Sequence, residues 1–227
     1  MPQKTWLFSA ADDRRWSYAE FDAAVNQAAN LLLSLGVGKG DKVSLLMANS
    51  PEYVIAYFAC WKIGAVAGPV NSHLKSEELA YVLDNSESVA LITDQDFLKH
   101  VEPIRAELGH LRYVIATDAE AESTIHFPSA AAAQPSELAE IALDAADDAI
   151  IIYTSGTTGK PKGVLLTHRN ILANARQIRD WLQFTETDRL LCMMPLFHVN
   201  GIIVTTVTPM FAAASMVVAP KFSASRH

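Results

Sequence analysis

Cysteine is nearly absent from this chain: of 227 residues only Cys60 and Cys192 carry a thiol, and each sits in an apolar run. Two isolated cysteines cannot form a disulfide framework, and their spacing fits no zinc template. They read instead as buried free thiols in a reducing compartment. Basic residues are also in deficit, 18 Lys and Arg against 25 Asp and Glu, for a net charge of −7. The positive residues are scattered, which excludes a general nucleic-acid binder. No apolar stretch is long enough to cross a bilayer, since the longest, residues 201–214, is interrupted by Thr205, Thr206, Thr208 and Pro209. Met1-Pro2-Gln3-Lys4 is not followed by the continuous apolar core of a signal peptide. Cytoplasmic localisation is therefore expected. There is no repeat of fixed period. Half of the residues are hydrophobic, enough to bury a sizeable core in one or two domains.

Periodicity supplies the elements. Ser17-Tyr18-Ala19-Glu20 has the form of a capping box, and Phe21, Val25, Ala28, Ala29 and Leu32 follow at helical spacing up to Gly36. Residues 43–48 read as a strand, and Ser50-Pro51 opens an apolar helix that Gly64 ends. Its aromatic residues are expected in the core. Further strands are expected at 66–70, 89–93 and 113–116, with a helix over 76–83 capped by Ser76. Residues 96–108 read as helical with a break at Pro103. Residues 117–135 are rich in Ala, Ser and acidic residues with little periodicity, and read as a linker or exposed excursion. The second half continues with strands at 150–153 and 164–167, a helix over 169–182, a strand at 190–194, a helix over 200–211 and a strand at 216–219. Helices alternating with buried strands predict an α/β fold of mostly parallel βαβ layers, with helices packed on the sheets.

The chemistry concentrates at Tyr153-Thr154-Ser155-Gly156-Thr157-Thr158-Gly159-Lys160-Pro161-Lys162-Gly163, directly behind the apolar Ala149-Ile150-Ile151-Ile152. Glycines let backbone amides approach an anion, hydroxyls add short hydrogen bonds and lysines supply charge. Such a loop is suited to phosphates. It is not the nucleoside-triphosphatase loop: Thr154 stands where that template needs glycine, and Pro161 where it needs a hydroxyl. Pro161 also disfavours a helix running on from Lys160. Residues 163–167 look like a second strand, so the unit is strand–loop–strand.

Residues 154–164 resemble the phosphate-binding signature of the adenylate-forming (AMP-binding) superfamily, which includes acyl-CoA synthetases, luciferases and peptide-synthetase adenylation domains. Two further segments agree in order. Trp61-Lys62-Ile63-Gly64-Ala65-Val66-Ala67-Gly68-Pro69-Val70-Asn71 is similar to an early structural motif of that family. Met194-Pro195-Leu196-Phe197-His198-Val199-Asn200-Gly201 is similar to its acyl-pocket motif, in the form typical of acyl-CoA synthetases, a group that includes fatty-acid–CoA ligases. The resemblance spans essentially the whole chain, up to residues 221–226.

The resemblance implies that a carboxylic acid is joined to ATP as an acyl-adenylate and passed to coenzyme A, with Mg2+ bridging the phosphates. It implies ATP contacts from Thr154, Ser155, Gly156, Thr157, Thr158, Gly159, Lys160 and Lys162, with Thr154 also a candidate Mg2+ contact. Phe197, His198, Asn200 and Gly201 are the implied acyl pocket, and His198 and Lys162 the implied catalytic pair. Taken alone, His198 would be a hydrogen-bonded structural histidine; its neighbours favour the pocket. His168 is adequately explained by hydrogen bonding at a helix start. His73, His100, His110, His126 and His227 show no ligand spacing and read as surface residues.

Family members run to more than twice this length, with adenine, ribose and catalytic-lysine segments further on. Residues 1–227 are thus expected to be an incomplete N-terminal adenylation domain, without its C-terminal domain and inactive alone. It would divide into 1–116, a 117–148 excursion, and 149–227 with the phosphate loop and acyl pocket. The competing expectation is a naturally short, non-catalytic nucleotide-binding or assembly module. Self-association through an unfinished domain surface is expected in either case.

Overall fold

The computed structural model describes residues 1–118, 121, 123–154 and 160–220. Among these the chain forms strand β1 (Thr5–Ser9), β2 (Arg15–Ser17), helix α1 (Tyr18–Ser34), β3 (Lys42–Leu46), α2 (Pro51–Lys62) and β4 (Val66–Pro69). It continues with α3 (Ser76–Asn85), β5 (Ser88–Thr93), α4 (Gln95–Val101), a 3-10 turn (Glu102–Glu107), β6 (Tyr113–Ala116), β7 (Ile125–His126) and α5 (Phe127–Ala132). Then come β8 (Asp148–Thr154), β9 (Lys162–Thr167), α6 (His168–Leu182), β10 (Arg189–Cys192), a π-helical run (Asn200–Val207), α7 (Thr208–Phe211) and β11 (Ser215–Val218).

The strands form two sheets, ordered β10-β11-β1-β2 and β7-β6-β5-β3-β4-β8-β9. Within the larger sheet only the β8–β9 pair is antiparallel. The expected α/β architecture with a largely parallel sheet is what the structure has. α2 explains the layering, because it touches β1 of the small sheet as well as β3 and β4 of the large one. Its residues Tyr53, Val54, Ala56, Tyr57, Ala59 and Cys60 are accordingly buried all round. α3 and α4 cover the other face of the large sheet through Leu79, Val82, Leu83 and Val101, packed on Leu46, Val70 and Leu91. Covered on both faces, β3, β4 and β5 are buried along almost their whole length.

Local signals account for the element ends. Ser17 Oγ accepts from Glu20 N while Glu20 Oε2 accepts from Ser17 N, the expected capping box. α2 closes at Gly64, whose φ of +73° lets Gly64 N reach Trp61 O and Ala65 N reach Cys60 O.

Some expectations are corrected. The N-cap of α3 is Lys75, not Ser76, because Glu78 reaches back to the Lys75 amide at 3.1 Å. Residues 200–211 are not one α-helix. The chain runs as a π-helix to Val207, since Thr205 and Thr206 turn their hydroxyls onto the Gly201 carbonyl at 2.7 and 3.0 Å. β1, β2, β7 and α5 carry too short a pattern to stand out and were not anticipated.

Residues 134–137 are laid on α1 rather than hanging free. Asn30 Nδ2 donates to Pro135 O and Glu137 O, both at 2.9 Å, and Asn26 Nδ2 to Ser136 O at 2.8 Å.

Candidate active site at the carboxyl edge of the large sheet

β3, β4, β5, β6 and β8 run parallel, so their carboxyl ends share one edge. In open α/β sheets this is the edge where ligands bind. The β8–β9 hairpin opens there. Its register pairs Ile152 with Val164, Tyr153 with Gly163 and Thr154 with Lys162. The strand–loop–strand reading therefore holds, and Thr154 and Lys162 face each other, exposed, as the last pair before the loop. Ser155, Gly156, Thr157, Thr158 and Gly159 lie outside the described residues. The hairpin base is fastened to α3: Tyr153 donates its hydroxyl to Asn85 Oδ1 at 2.8 Å, and Lys160 Nζ sits 4.8 Å above the Tyr81 ring. Burial pushes the Tyr153 phenol up to about 12, so it remains a donor at neutral pH.

The second motif lies at the exit of β10. Leu196 and Phe197 are buried and His198 and Asn200 exposed. Phe197 stands between two imidazoles, its ring centre 4.3 Å from that of His198 and 6.1 Å from that of His73. His73 follows β4, the neighbour of β8, so this contact brings the His198 turn over the same edge that carries the hairpin. The turn closes through His198 N donating to Pro195 O at 3.0 Å. Gly201 backs it so closely that an added Cβ would lie 2.6 Å from Pro195 O. Phe197 and His198 are thus on a turn that runs directly into the π-helical segment carrying Asn200 and Gly201, and glycine is required at position 201.

The exits of β3 and β5 are tied together. Asp94 Oδ2 accepts from Ala48 N at 2.8 Å and Oδ1 from Phe97 N at 3.1 Å. Burial outweighs these two amides and raises the carboxyl above its ordinary value. Next to Ala48, Asn49 reaches the β10 turn. Its Nδ2 donates to Met194 O at 2.9 Å and to Ala219 O at 3.2 Å, and its Oδ1 accepts from Leu196 N at 2.7 Å. Tyr57, fully buried on α2, donates to Leu196 O at 2.9 Å. Sequence reading missed Asn49, Tyr57, Tyr81 and Asn85, and treated His73 as bare surface. The signal available was Asn49 itself, a polar residue left between the strand over 43–48 and the helix that Ser50-Pro51 opens.

His168 stands apart. The cap of α6 is Thr167, whose side chain accepts from Asn170 N, and His168 Nε2 has no hydrogen-bond partner among the described residues. Helix-start bonding therefore does not explain this ring. Among the described residues no group of three or more His, Cys, Asp or Glu is arranged to hold a metal. Magnesium that arrives with ATP needs no such group, since it keeps waters and phosphate oxygens and takes few protein ligands. Thr154, exposed at the end of β8, would offer one hydroxyl to such an ion. No helix among the described residues is long and apolar enough to cross a membrane.

This arrangement of strands, hairpin and turn has known counterparts. The family model of the AMP-binding enzymes matches residues 1–227, and the chain belongs to that family. It is 36% identical over 216 residues to a crotonobetaine/carnitine–CoA ligase of Escherichia fergusonii, covering 92% of this chain and 42% of that protein. An anthranilate CoA ligase in complex with anthranoyl-AMP superimposes with a TM-score of 0.93 at 31% identity, over 97% of this chain and 43% of the other. ATP-bound MatB from Rhodopseudomonas palustris gives 0.87 at 32% identity, over 98% and 43%. The chain thus spans less than half the length of these relatives.

Proposed function

We propose that this chain provides the triphosphate grip and acyl pocket of an AMP-forming acyl-CoA ligase. In the first step a carboxylate oxygen attacks the α-phosphorus of ATP. The bond from that phosphorus to the bridging oxygen breaks, and pyrophosphate leaves. In the second step the sulfur of coenzyme A attacks the acyl carbon, its thiol proton is lost and AMP departs. Both partners of the first step are anions, so the site must neutralise charge and align the reactants. Lys160 and Lys162 supply the charge on the β- and γ-phosphates, with hydroxyls from Thr154, Ser155, Thr157 and Thr158 and amides from Gly156 and Gly159. Thr154 would offer its hydroxyl to a magnesium ion, which would supply further positive charge to the triphosphate. His198 orients the carboxylate and then the adenylate, while Phe197, Asn200 and Gly201 line the acyl side.

One observation carries this reading. The β8–β9 hairpin opens at the carboxyl edge of the large sheet, and the His198 turn, at the exit of β10 in the small sheet, reaches the β4 side of that edge through the His73–Phe197 contact. The ATP and anthranoyl-AMP bound by two of the similar structures support it by analogy.

Calorimetry tests it. Mg-ATP should bind the purified chain, and a non-hydrolysable acyl-sulfamoyl adenosine should compete for the same site. Pyrophosphate release with a panel of carboxylic acids should stay at background for this chain alone, as expected of less than half of the relatives' length. A chain that binds neither Mg-ATP nor the analogue is not built for this reaction.

A further inference from the structure

The backbone of the His198 turn is held by side chains from another part of the fold. Met194 O and Leu196 N bond to Asn49, Leu196 O bonds to Tyr57, and only Pro195 O is satisfied within the turn, by His198 N. Asn49 is 7% exposed and spends both amide N–H groups and its oxygen here. Tyr57 is itself immobilised, stacked on Tyr53 at 5.3 Å and tilted on Trp61 at 5.4 Å. Asn49 stands at the exit of β3, in the large sheet. Met194 and Ala219 stand at the exits of β10 and β11, in the small one. One carboxamide therefore pins the carboxyl edges of the two sheets to each other.

We infer that Asn49, seconded by Tyr57, is a positioning residue that sets His198 against the phosphate hairpin. The inference rests on the acyl-pocket reading of His198. Asn49 touches no substrate; it acts through the backbone of residues 194–196. If the turn were loose, Phe197 and His198 would sample orientations in which the carboxylate and the α-phosphorus are out of line, and misplacement of this kind is costly.

Asn49→Asp is the informative variant because it keeps shape and the acceptor for Leu196 N. It turns both donors into oxygen facing the carbonyls of Met194 and Ala219. The first readout is the ring-proton NMR spectrum of the 227-residue chain, with His198 assigned through His198→Gln. Phe197 lies close enough to shift the His198 ring protons. In Asn49→Asp these signals should move toward those of free histidine, while those of exposed His100 and His110 stay in place. Tyr57→Phe should move them less. Unmoved His198 signals in folded Asn49→Asp overturn the inference, and if that variant does not fold, unmoved signals in Tyr57→Phe do so. The second readout is affinity. Binding of the acyl-sulfamoyl adenosine should weaken about tenfold in Asn49→Asp, with Mg-ATP affinity held within about twofold. Equal losses for both ligands, or none, overturn the positioning role. A wild-type chain that binds neither ligand sinks the ligase reading and the functional role with it, whereas the His198 shift still decides whether Asn49 holds the turn.

Discussion

Trp61 donates its indole N–H to the carbonyl oxygen of Ala149 at 2.8 Å. Both residues are buried, one near the end of α2 and the other at the foot of β8. The bond fastens the strand that delivers the phosphate loop to the helix that supports the His198 turn. Trp61→Phe keeps an aromatic ring against Tyr57 and Phe58 but removes the donor. A buried group left without its partner costs about 1–3 kcal/mol. Urea denaturation should show a loss of that size with an unchanged slope; a midpoint equal to the wild type's would mean that water or another group replaces the indole.

Gly201 makes a different demand. A methyl group there would meet Pro195 O at 2.6 Å, Pro195 C at 3.1 Å and the Leu196 Cα at 3.2 Å, all of them backbone. A flexible side chain could swing aside; a turn clamped by Asn49 and Tyr57 cannot. Gly201→Ala should therefore cost about 1–3 kcal/mol, the usual range for overpacking. Thermal melting reads this directly, and a melting temperature within error of the wild type's would show that the turn yields.

How much of this was legible in the sequence depended on whether a signal was local. The capping box at Ser17, the Gly64 stop and the buried aromatic face of α2 follow from neighbours a few residues apart, and the structure has them where expected. The hairpin was legible because Pro161 argued against a helix. What could not be seen was reciprocal. Asn49 looks like a bare connector between strand and helix until Met194, Leu196 and Ala219, far along the chain, are brought to it. His73 looks like any exposed histidine until Phe197 arrives. β1 and β2 are short, and β1 is completed only by pairing with β11, so no local period announces them. The π-helical run is set by which carbonyl the Thr205 and Thr206 hydroxyls choose, which composition does not specify.

Lys162 separates function from folding. It is exposed at the loop end of β9, opposite Thr154, and no hydrogen bond or ion pair of its side chain contributes to the packing among the described residues. Lys162→Ala should leave stability within about 0.5 kcal/mol of the wild type, as surface substitutions do. Mg-ATP affinity should fall about tenfold or more, because a charge-assisted bond to phosphate contributes about 1.5–3 kcal/mol. Calorimetry and melting on the same preparation decide the matter. A large drop in melting temperature with unchanged ATP affinity would make the residue a structural part of the turn.

The last prediction concerns acid. His168 is half-buried at the start of α6, with Asp147 and Lys39 facing it. Burial lowers its pKa below the ordinary 6.5; Lys39 pushes the same way, and Asp147 opposes them. The sign follows from proton counting. Below about pH 6.5 the unfolded chain takes up a proton at this position that the folded chain resists, so stability falls as pH drops from there toward the lowered folded value. The carboxylates of Asp147 and Glu20 also lie below their ordinary values, held there first by backbone amides of Asp144 and Ser17. Their contribution is lost only at more acidic pH; that of Glu20 is common to both proteins, and that of Asp147 differs only by the part His168 itself supplies. His168→Gln removes the imidazole titration and keeps a polar side chain. Denaturant unfolding at pH 7.5 and 5.5 should show wild type losing more stability than His168→Gln. The difference in slope should be a fraction of the ~1.4 kcal/mol per pH unit that one whole proton gives, since a half-exposed group is screened by solvent. Parallel losses in the two proteins would mean that the folded state accepts the proton as readily as the unfolded chain does.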